Sequence, residues 1–265
     1  FVPIDGGFKY LRTQRLGLHL LRGFGIVIAN LCFFTALISM PLAEVKAIFF
    51  IAPLLITALS VFLLGEKVGL RSWIAVLVGL LGVMIMLRPG SGFSNPASIL
   101  PLVAALAYAL VQIMTRKIGE TENASTMAFY IQLNFVAVSG LMGLIFGDGH
   151  LADPSQPTLN YLFRPWTVPS WGDGMIIIGI GLINGLATYF ISQAYRISKA
   201  GTVAPFEYVA LPCSIFWSIT VFGDWPDIVS WLGIVLIAGA GLFIAYSETV
   251  QGRKNVLYGP MPRNR

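Results

Sequence analysis

The strongest constraint in this sequence is a series of continuous apolar runs, each about twenty residues long. Only 11% of the 265 residues are charged and 56% are hydrophobic, so the chain has too few polar side chains to cover a surface in water. An apolar helix of about twenty residues spans the hydrocarbon core of a bilayer. A membrane β-barrel would need short segments of alternating polarity instead. The sequence therefore predicts an all-α integral membrane protein.

Charge, glycine and proline set the boundaries of these runs and predict about eight transmembrane helices. The predicted helices cover residues 17–38, 43–64, 71–88, 96–115, 126–147, 173–195, 201–222 and 228–246. The connections are short except at residues 147–171, where Pro, Asp and Trp are frequent and an ordered or interfacial loop is expected. Such connections leave little room for a domain outside the membrane.

The basic residues lie mainly on one side of the predicted bundle. With the N-terminus placed in the cytoplasm, all 17 Lys and Arg residues except Lys46, Arg88 and Arg164 are assigned to cytoplasmic segments, Arg22 among them. Cytoplasmic loops carry such an excess of basic residues. The sequence therefore predicts a plasma-membrane (bacterial inner-membrane) protein with cytoplasmic termini and a cytoplasmic tail at 248–265. The same bias accounts for the net charge of +5, so no nucleic-acid partner is expected.

The sequence contains no pattern typical of a metal, cofactor or nucleotide site. His19 and His150 fall at opposite ends of the predicted bundle, and Cys32 and Cys213 lie within apolar runs. A zinc or di-metal site needs clustered ligands, and ATP hydrolysis needs a glycine-rich phosphate loop that the sequence lacks. We therefore expect no metal and no cofactor.

An internal repeat emerges when the sequence is shifted against itself by 158 residues. Gly65-Glu66 then aligns with Gly223-Asp224, and Ser72-Trp73 aligns with Ser230-Trp231, without a gap. In both copies the acidic residue closes one apolar helix and the Ser-Trp pair opens the next. The orientation assigned from charge places the two copies in opposite senses across the membrane, which indicates an inverted repeat.

The shift pairs the first three predicted helices with the last three. Residues 96–115 and 126–147 have no counterparts. We therefore expect a bundle of ten helices, five plus five, of which this chain carries about eight and lacks the first two. Residues 1–90 would then form an incomplete first repeat of three helices, and residues 96–247 a second repeat of five.

Four short motifs resemble the paired EamA domains of the drug/metabolite transporter superfamily. They are LGEKVG at 64–69, VGLLGV at 78–83, VAPFEY at 203–208 and FGDWP at 222–226. Residue 224 is Asp where the family usually has Glu, which keeps the charge. The resemblance covers residues 17–247 and makes the two repeats EamA domains. It implies ten helices in two inverted repeats around a central cavity, with cytoplasmic termini.

Glu207 is the first candidate for binding a solute, because it stands inside a predicted apolar helix. An ionised carboxylate there costs about 2.5–3.5 kcal/mol on insertion scales, and such residues are usually functional. Glu207 could contact a cationic or amino-bearing solute, or carry a proton. It could also be paired with a structural partner, and the functional interpretation is slightly favoured.

Lys46 lies near the outer start of the second predicted helix. Its amine could meet a carboxylate or phosphate of the solute in the cavity. A lysine so close to a helix end can also extend its amine to the membrane interface, and this second interpretation is favoured.

Two polar pairs at a spacing of four residues complete the candidate set. Tyr108 and Gln112 share one helix face, and Asn184 and Thr188 share another. Each pair could line a polar cavity or hydrogen-bond a neighbouring helix, and the second arrangement is the more frequent in membrane bundles.

These features predict a secondary transporter that moves a small polar solute by alternating access. The resemblance implies an amino acid or a derivative as the first choice of cargo, and S-adenosylmethionine or a nucleoside-like molecule as the second. Protons are a possible coupling ion, lipid surrounds the bundle, and the oligomeric state is open. The alternative is a membrane-embedded enzyme acting on lipid-linked substrates. It would need converging acid, base or metal groups, and the sequence shows scattered polar residues instead.

Overall fold

The chain folds into a bundle of membrane-length helices. A computed structural model describes residues 13, 15–66, 69–87 and 96–258, and all regular structure in these ranges is helical. The α-helices are α1 (Leu16–Ala36), α2 (Leu42–Phe49), α3 (Ala52–Leu64), α4 (Leu70–Leu87), α5 (Ile99–Ile118), α6 (Ala124–Phe146), α7 (Pro157–Phe163), α8 (Trp171–Ile197), α9 (Ala200–Val203), α10 (Ala210–Phe222) and α11 (Ile228–Tyr258). Short 3-10 helices cover Pro96–Ser98 and Ala204–Val209.

These helices include segments long and apolar enough to cross a bilayer. Within the described ranges such segments are Leu16–Ala36, Leu42–Leu64, Ile99–Ile118, Ala124–Phe146, Trp171–Ile197 and Ala200–Phe222, and the shorter apolar helices Leu70–Ile85 and Ile228–Ile244 join them. They match the predicted spans one for one, so the prediction of an all-α membrane protein is confirmed. The long connection holds the short helix α7, and the Trp166 N–H donates to the Gly147 carbonyl at 2.9 Å.

Two spans predicted as continuous helices are interrupted. The second span breaks between α2 and α3 at Phe50 and Ile51, and the seventh contains a 3-10 segment between α9 and α10. Pro53 follows the first break and Pro205 lies in the second. Proline has no N–H to continue the helical ladder, so each break leaves backbone groups that need another partner.

A hydrogen bond and a pair of stacked rings connect the two breaks across the bundle. The Tyr208 hydroxyl donates to the Phe50 carbonyl at 2.9 Å, and the two rings stack with centroids 5.6 Å apart. Irregular backbone at membrane depth is stable only where protein or water covers it. This contact therefore satisfies one break with a side chain from the other.

Helix boundaries repeat at the offset found in the sequence. Ala52–Leu64 maps onto Ala210–Phe222 when shifted by 158 residues, and the start of α4 maps onto the start of α11. Phe50 and Tyr208, which bond at the breaks, are also separated by 158 residues. The internal repeat is therefore a repeat of structure.

The same turn closes the equivalent helices α3 and α10. Gly65 and Gly223 have positive φ angles of 68° and 72°, and in each turn the next N–H donates back to a serine carbonyl at 3.1 Å (Glu66 to Ser60, Asp224 to Ser218). A helix that ends in this way needs a residue in the left-handed conformation directly after it. Glycine adopts that conformation without strain, which explains why both copies have it.

Helices α4 and α11 pack against each other in antiparallel directions. A Cβ on Gly82 would lie 2.9 Å from the Gly233 carbonyl oxygen, and one on Gly79 would lie 3.4 Å from the Ala240 Cβ. The residue numbers fall on α4 as they rise on α11. The two equivalent helices therefore run in opposite senses, and the turns at 65–66 and 223–224 lie at opposite ends of the bundle.

Gly241 makes room for the Tyr208 ring in this core. A Cβ at Gly241 would come within 2.0–2.4 Å of that ring, whose hydroxyl is fixed on the Phe50 carbonyl. We expect Gly241→Ala to destabilise the fold by about 1–3 kcal/mol, because overpacking forces buried groups to shift. Thermal or denaturant unfolding of the purified protein in detergent measures the change.

Gly239 provides the matched control two residues earlier in α11. A Cβ there meets no atom within 4 Å. Alanine should therefore be neutral or slightly stabilising, by up to about 1 kcal/mol, since it favours the helix. Equal stability of the two variants would contradict the packing at Gly241.

Candidate functional site

A cavity of about 830 Å³ opens between the helices where the two breaks meet. Residues from α1, α2, α5, α6, α8, α9, α10 and the 3-10 segment at 204–209 line it. Its lining includes every residue that the sequence analysis singled out for solute binding, namely Lys46, Tyr108, Gln112, Asn184, Thr188 and Glu207. The structure brings these residues together, and their contact with a solute stays a prediction.

Glu207 projects into the cavity from the interrupted helix. Its Oε1 accepts hydrogen bonds from the Tyr195 hydroxyl at 2.6 Å and from the Tyr108 hydroxyl at 3.2 Å. Hydrogen bonds to a charged acceptor are stronger than neutral ones, so the two tyrosines hold the carboxylate in place. The 3-10 segment turns it toward α5 and α8. Glu207 thus has structural partners and also borders the cavity.

Lys46 also points into the cavity. Its Nζ lies 5.1 Å from the ring centroid of Phe33 and 5.5 Å from those of Phe49 and Phe50. These distances suit cation–π contact. The favoured expectation that the amine extends to the membrane interface is therefore wrong, because three aromatic faces attract it inward. Lys46 and Glu207 line the same cavity.

Both polar pairs have dual roles. Gln112 hydrogen-bonds the side chain of Tyr108 on the next turn of α5. The Thr188 hydroxyl donates to the Asn184 carbonyl at 2.8 Å and accepts from Gln132 of α6 at 3.4 Å. The interhelical bond that the sequence analysis favoured is thus present at Thr188, although all four predicted residues still face the cavity.

Arg22 is a cavity residue that the sequence analysis missed, because it was assigned to the cytoplasmic charges. It lies within α1 and is completely buried. Its Nη1 donates to the Thr115 hydroxyl at 2.8 Å and its Nη2 to the Met127 carbonyl. An arginine that deep in a predicted apolar helix meets the same criterion that identified Glu207, and that signal could have found it.

Tyr195 is the second residue that the sequence analysis missed. It is fully buried and makes the shorter of the two hydrogen bonds to Glu207. It stands seven residues after Thr188 in α8, which is two helical turns along the same face. Extending the polar stripe of Asn184 and Thr188 by two turns would have included it.

Polar contacts made by Arg22, Glu66, Arg116 and Arg196 gather at one end of the cavity. We call this end the latched end. The Glu66 carboxylate accepts from the first N–H groups of α9, at 3.2 and 3.3 Å. Arg116 donates to the Arg196 carbonyl at 2.7 Å, and Arg196 donates to Asn123 at 3.3 Å. These bonds tie α3, α5, α6, α8 and α9 together.

The opposite end is packed more loosely. In α6 the buried residues all lie between Ala124 and Asn134, and in α8 they lie between Tyr189 and Tyr195. Both stretches belong to the halves nearest the latched end. At this opposite end the Ala43 N–H donates to the Ser218 hydroxyl at 3.3 Å and the Ser230 hydroxyl donates to Glu44 at 3.3 Å, so polar contacts there join α2 to α10 and α11 rather than to α6 and α8.

Aromatic rings dominate the rest of the cavity wall. The lining contains Phe33, Phe34, Phe49, Phe50, Tyr108, Phe135, Phe190, Tyr195 and Phe206. Rings of this kind provide flat apolar surfaces, and a few fixed polar groups then orient the ligand. The site is therefore suited to a solute that presents both a planar face and hydrogen-bonding groups.

The sequence matches the model of the EamA-like transporter family at residues 6–88 and 95–246. The chain belongs to this family. The suggested membership of the drug/metabolite transporter superfamily is thus confirmed, and the protein is a small-metabolite transporter rather than an enzyme. The alternative of a membrane-embedded enzyme is set aside.

Similar transporters are found in several bacteria. The chain is 32% identical to a riboflavin transporter of Vibrio cholerae, over 92% of this chain and 76% of the relative. It is 27% identical to an S-adenosylmethionine uptake transporter of Rickettsia prowazekii, over 91% and 76% of the two chains. A pseudopaline exporter of Pseudomonas aeruginosa is 25% identical over 91% and 78%.

A solved crystal structure shares the fold of this EamA-family chain. The two superpose with a TM-score of 0.65 at 19% identity, covering 95% of this chain and 82% of the other. At that identity the likeness concerns the arrangement of helices alone.

The bond between Arg22 and Thr115 should contribute measurably to stability. We expect Thr115→Val to lower the free energy of unfolding by about 1–3 kcal/mol, because a buried guanidinium loses a hydrogen-bond acceptor. Denaturant titration in detergent, followed by tryptophan fluorescence, measures the loss.

Thr220→Val is the matched control for this variant. The Thr220 hydroxyl also donates to the carbonyl four residues earlier, as that of Thr115 does, but it is exposed. Its replacement should change stability by no more than about 0.5 kcal/mol. A similar loss in both variants would show that the bond to Arg22 contributes nothing.

Proposed function

We propose that this EamA-family protein is a secondary transporter of the bacterial inner membrane that moves a ring-bearing polar metabolite by alternating access. The observation that carries the proposal is one cavity, at the meeting point of two interrupted helices, that combines charged groups with an aromatic wall. Interrupted helices at the interface of inverted repeats form the solute sites of several transporter folds.

The sequence analysis gave an amino acid as the first choice of cargo. The aromatic wall of the cavity instead favours a planar solute. A cavity of about 830 Å³ exceeds what a small amino acid fills. Stacking on Phe and Tyr faces would hold a heteroaromatic ring, and Glu207, Gln112 and Asn184 would orient its polar groups. The relatives named for riboflavin and S-adenosylmethionine support this class, since both molecules contain such rings.

In the proposed alternating access, the contacts of the latched end would open and the opposite end of the cavity would close. The breaks at Phe50 and at 204–209 would act as the hinges of their spans, because regular α-helix is interrupted there. The proposed units are the repeats at residues 1–90 and 96–247, with a tail at 248–265. The excess of basic residues supports placing the latched end and both termini in the cytoplasm.

Uptake into proteoliposomes tests the role of Glu207. With radiolabelled riboflavin or S-adenosylmethionine as the solute, we expect Glu207→Gln to reduce uptake about tenfold or more. This loss follows because the variant removes the charge that Tyr108 and Tyr195 hold in the cavity, and hydrogen bonds to charged groups contribute about 1.5–3 kcal/mol. An imposed pH gradient shows whether protons drive the uptake.

Glu120→Gln is the matched control, because Glu120 is an exposed carboxylate after α5 and away from the cavity. This variant should transport like the unaltered protein. If Glu207→Gln also keeps its full rate and pH dependence, the proposed role of Glu207 is wrong.

Chemical labelling of Cys213 tests whether this cavity is the transport route. It is a free thiol, is exposed, and lines the cavity from α10. In a Cys32→Ser background, a bulky methanethiosulfonate reagent should inhibit uptake by at least about half, because the adduct fills the space that the solute needs. Excess solute should slow the labelling. Cys213→Ser should abolish the inhibition, and labelling without any effect on uptake would argue against this cavity as the route.

A further inference from the structure

Phe33, Phe49 and Phe50 form an aromatic cage around the Lys46 amine. The three ring centroids lie 5.1, 5.5 and 5.5 Å from Nζ, on α1, on α2 and at the first break. Clusters of rings at such distances are the usual binding site for quaternary ammonium and similar cations. In this cavity the position is already filled by a side chain of the protein.

We propose that Lys46 is a built-in occupant of this cage and makes the cavity select against cationic solutes. The cargo would then be a neutral or anionic ring-bearing metabolite, closer in charge to a flavin than to a sulfonium nucleoside. The inference rests on the proposed function, because it names the charge class of the solute bound in the same cavity.

The charged side chains that line the cavity also disfavour a cationic solute. Among the described lining residues the carboxylate, ammonium and guanidinium side chains are those of Glu207, Lys46 and Arg22, one anion and two cations. One carboxylate neutralises only one of the two cations, so these side chains carry a net positive charge. A solute with an anionic or electron-rich group complements this set, and a cationic solute adds to the excess.

Repulsion from Lys46 is large enough to determine specificity. A second cation placed about 5.5 Å from Nζ would bind on the order of a hundredfold more weakly, at an effective dielectric constant near 20. The cage would also be blocked physically, because Nζ already faces all three rings.

The second repeat offers no replacement for this lysine. The offset of 158 residues pairs Lys46 with Ala204, which is fully buried, and pairs Glu207 with Phe49. The cation and the carboxylate of the cavity therefore come from different repeats at non-equivalent positions. Removing Lys46 leaves a cage of three rings with Glu207 nearby, which is a complementary site for a cation.

Equilibrium dialysis of the purified full chain with radiolabelled tetramethylammonium tests the cage directly. We expect Lys46→Ala to bind this ion at least tenfold more tightly than the unaltered protein, because the cage is emptied. Lys46→Arg keeps a cation there and should show no gain. Lys117→Ala, which removes an exposed lysine at the end of α5, should behave like the unaltered protein.

A second pair of variants covers the case in which Lys46→Ala fails to fold. Lys46→Gln also removes the charge and should gain affinity, and adding Phe33→Leu to either variant should abolish the gain by removing one ring. Binding of tetramethylammonium by the unaltered protein as tightly as by the folded variants would overturn the proposal. A folded neutral variant with no gain would overturn it equally.

A transport measurement separates this inference from the proposed function. Excess S-adenosylmethionine should compete at least tenfold better for riboflavin uptake in Lys46→Ala than in the unaltered protein. If neither protein transports any ring-bearing solute but the dialysis result holds, the cage assignment stands and the proposed function fails. Equal competition in both proteins would overturn the selectivity assigned to Lys46.

Discussion

The hydrogen bond from the Tyr208 hydroxyl to the Phe50 carbonyl is the contact on which the rest of this structure depends. A membrane offers no water to an interrupted helix, so a break in the backbone needs a partner within the protein. Here the two breaks lie at equivalent positions of the repeat, and a side chain of the second provides a partner for the backbone of the first. The cavity lies where the two breaks meet.

The same geometry brings charge into an apolar bundle. Glu207 lies on the 3-10 segment rather than on a regular helix, and the segment directs its carboxylate to Tyr108 and Tyr195. Lys46 stands four residues before the other break, within reach of three phenyl rings. Each charge thus has neighbours that stabilise it, and both still border the open volume.

Sequence reasoning located the spans, the repeat and the cavity-lining residues, because apolar run length, a glycine-acid turn and isolated polar residues in lipid all have direct physical meanings. It missed both breaks: Pro205 also fits near the start of a continuous helix at 201–222, whereas Pro53, in the middle of the span 43–64, was a signal that the prediction did not use. It misplaced the amine of Lys46, although Phe49 and Phe50 follow three and four residues later, because the favoured interpretation weighed only the distance of Lys46 from the helix end. It passed over Arg22, although a charge inside a predicted apolar helix was the signal used for Glu207; only its partners on α5 and α6 needed the structure.

The imperfect equivalence of the two repeats has a consequence for the transport cycle. In a perfectly symmetric carrier, a twofold axis in the membrane plane would make the site seen from one face identical to the site seen from the other. Here Lys46 corresponds to Ala204 and Glu207 to Phe49, so exchanging the conformations of the repeats does not exchange their chemistry. Under the proposed alternating access, the inward-open and outward-open states would therefore present different chemical groups to the solute.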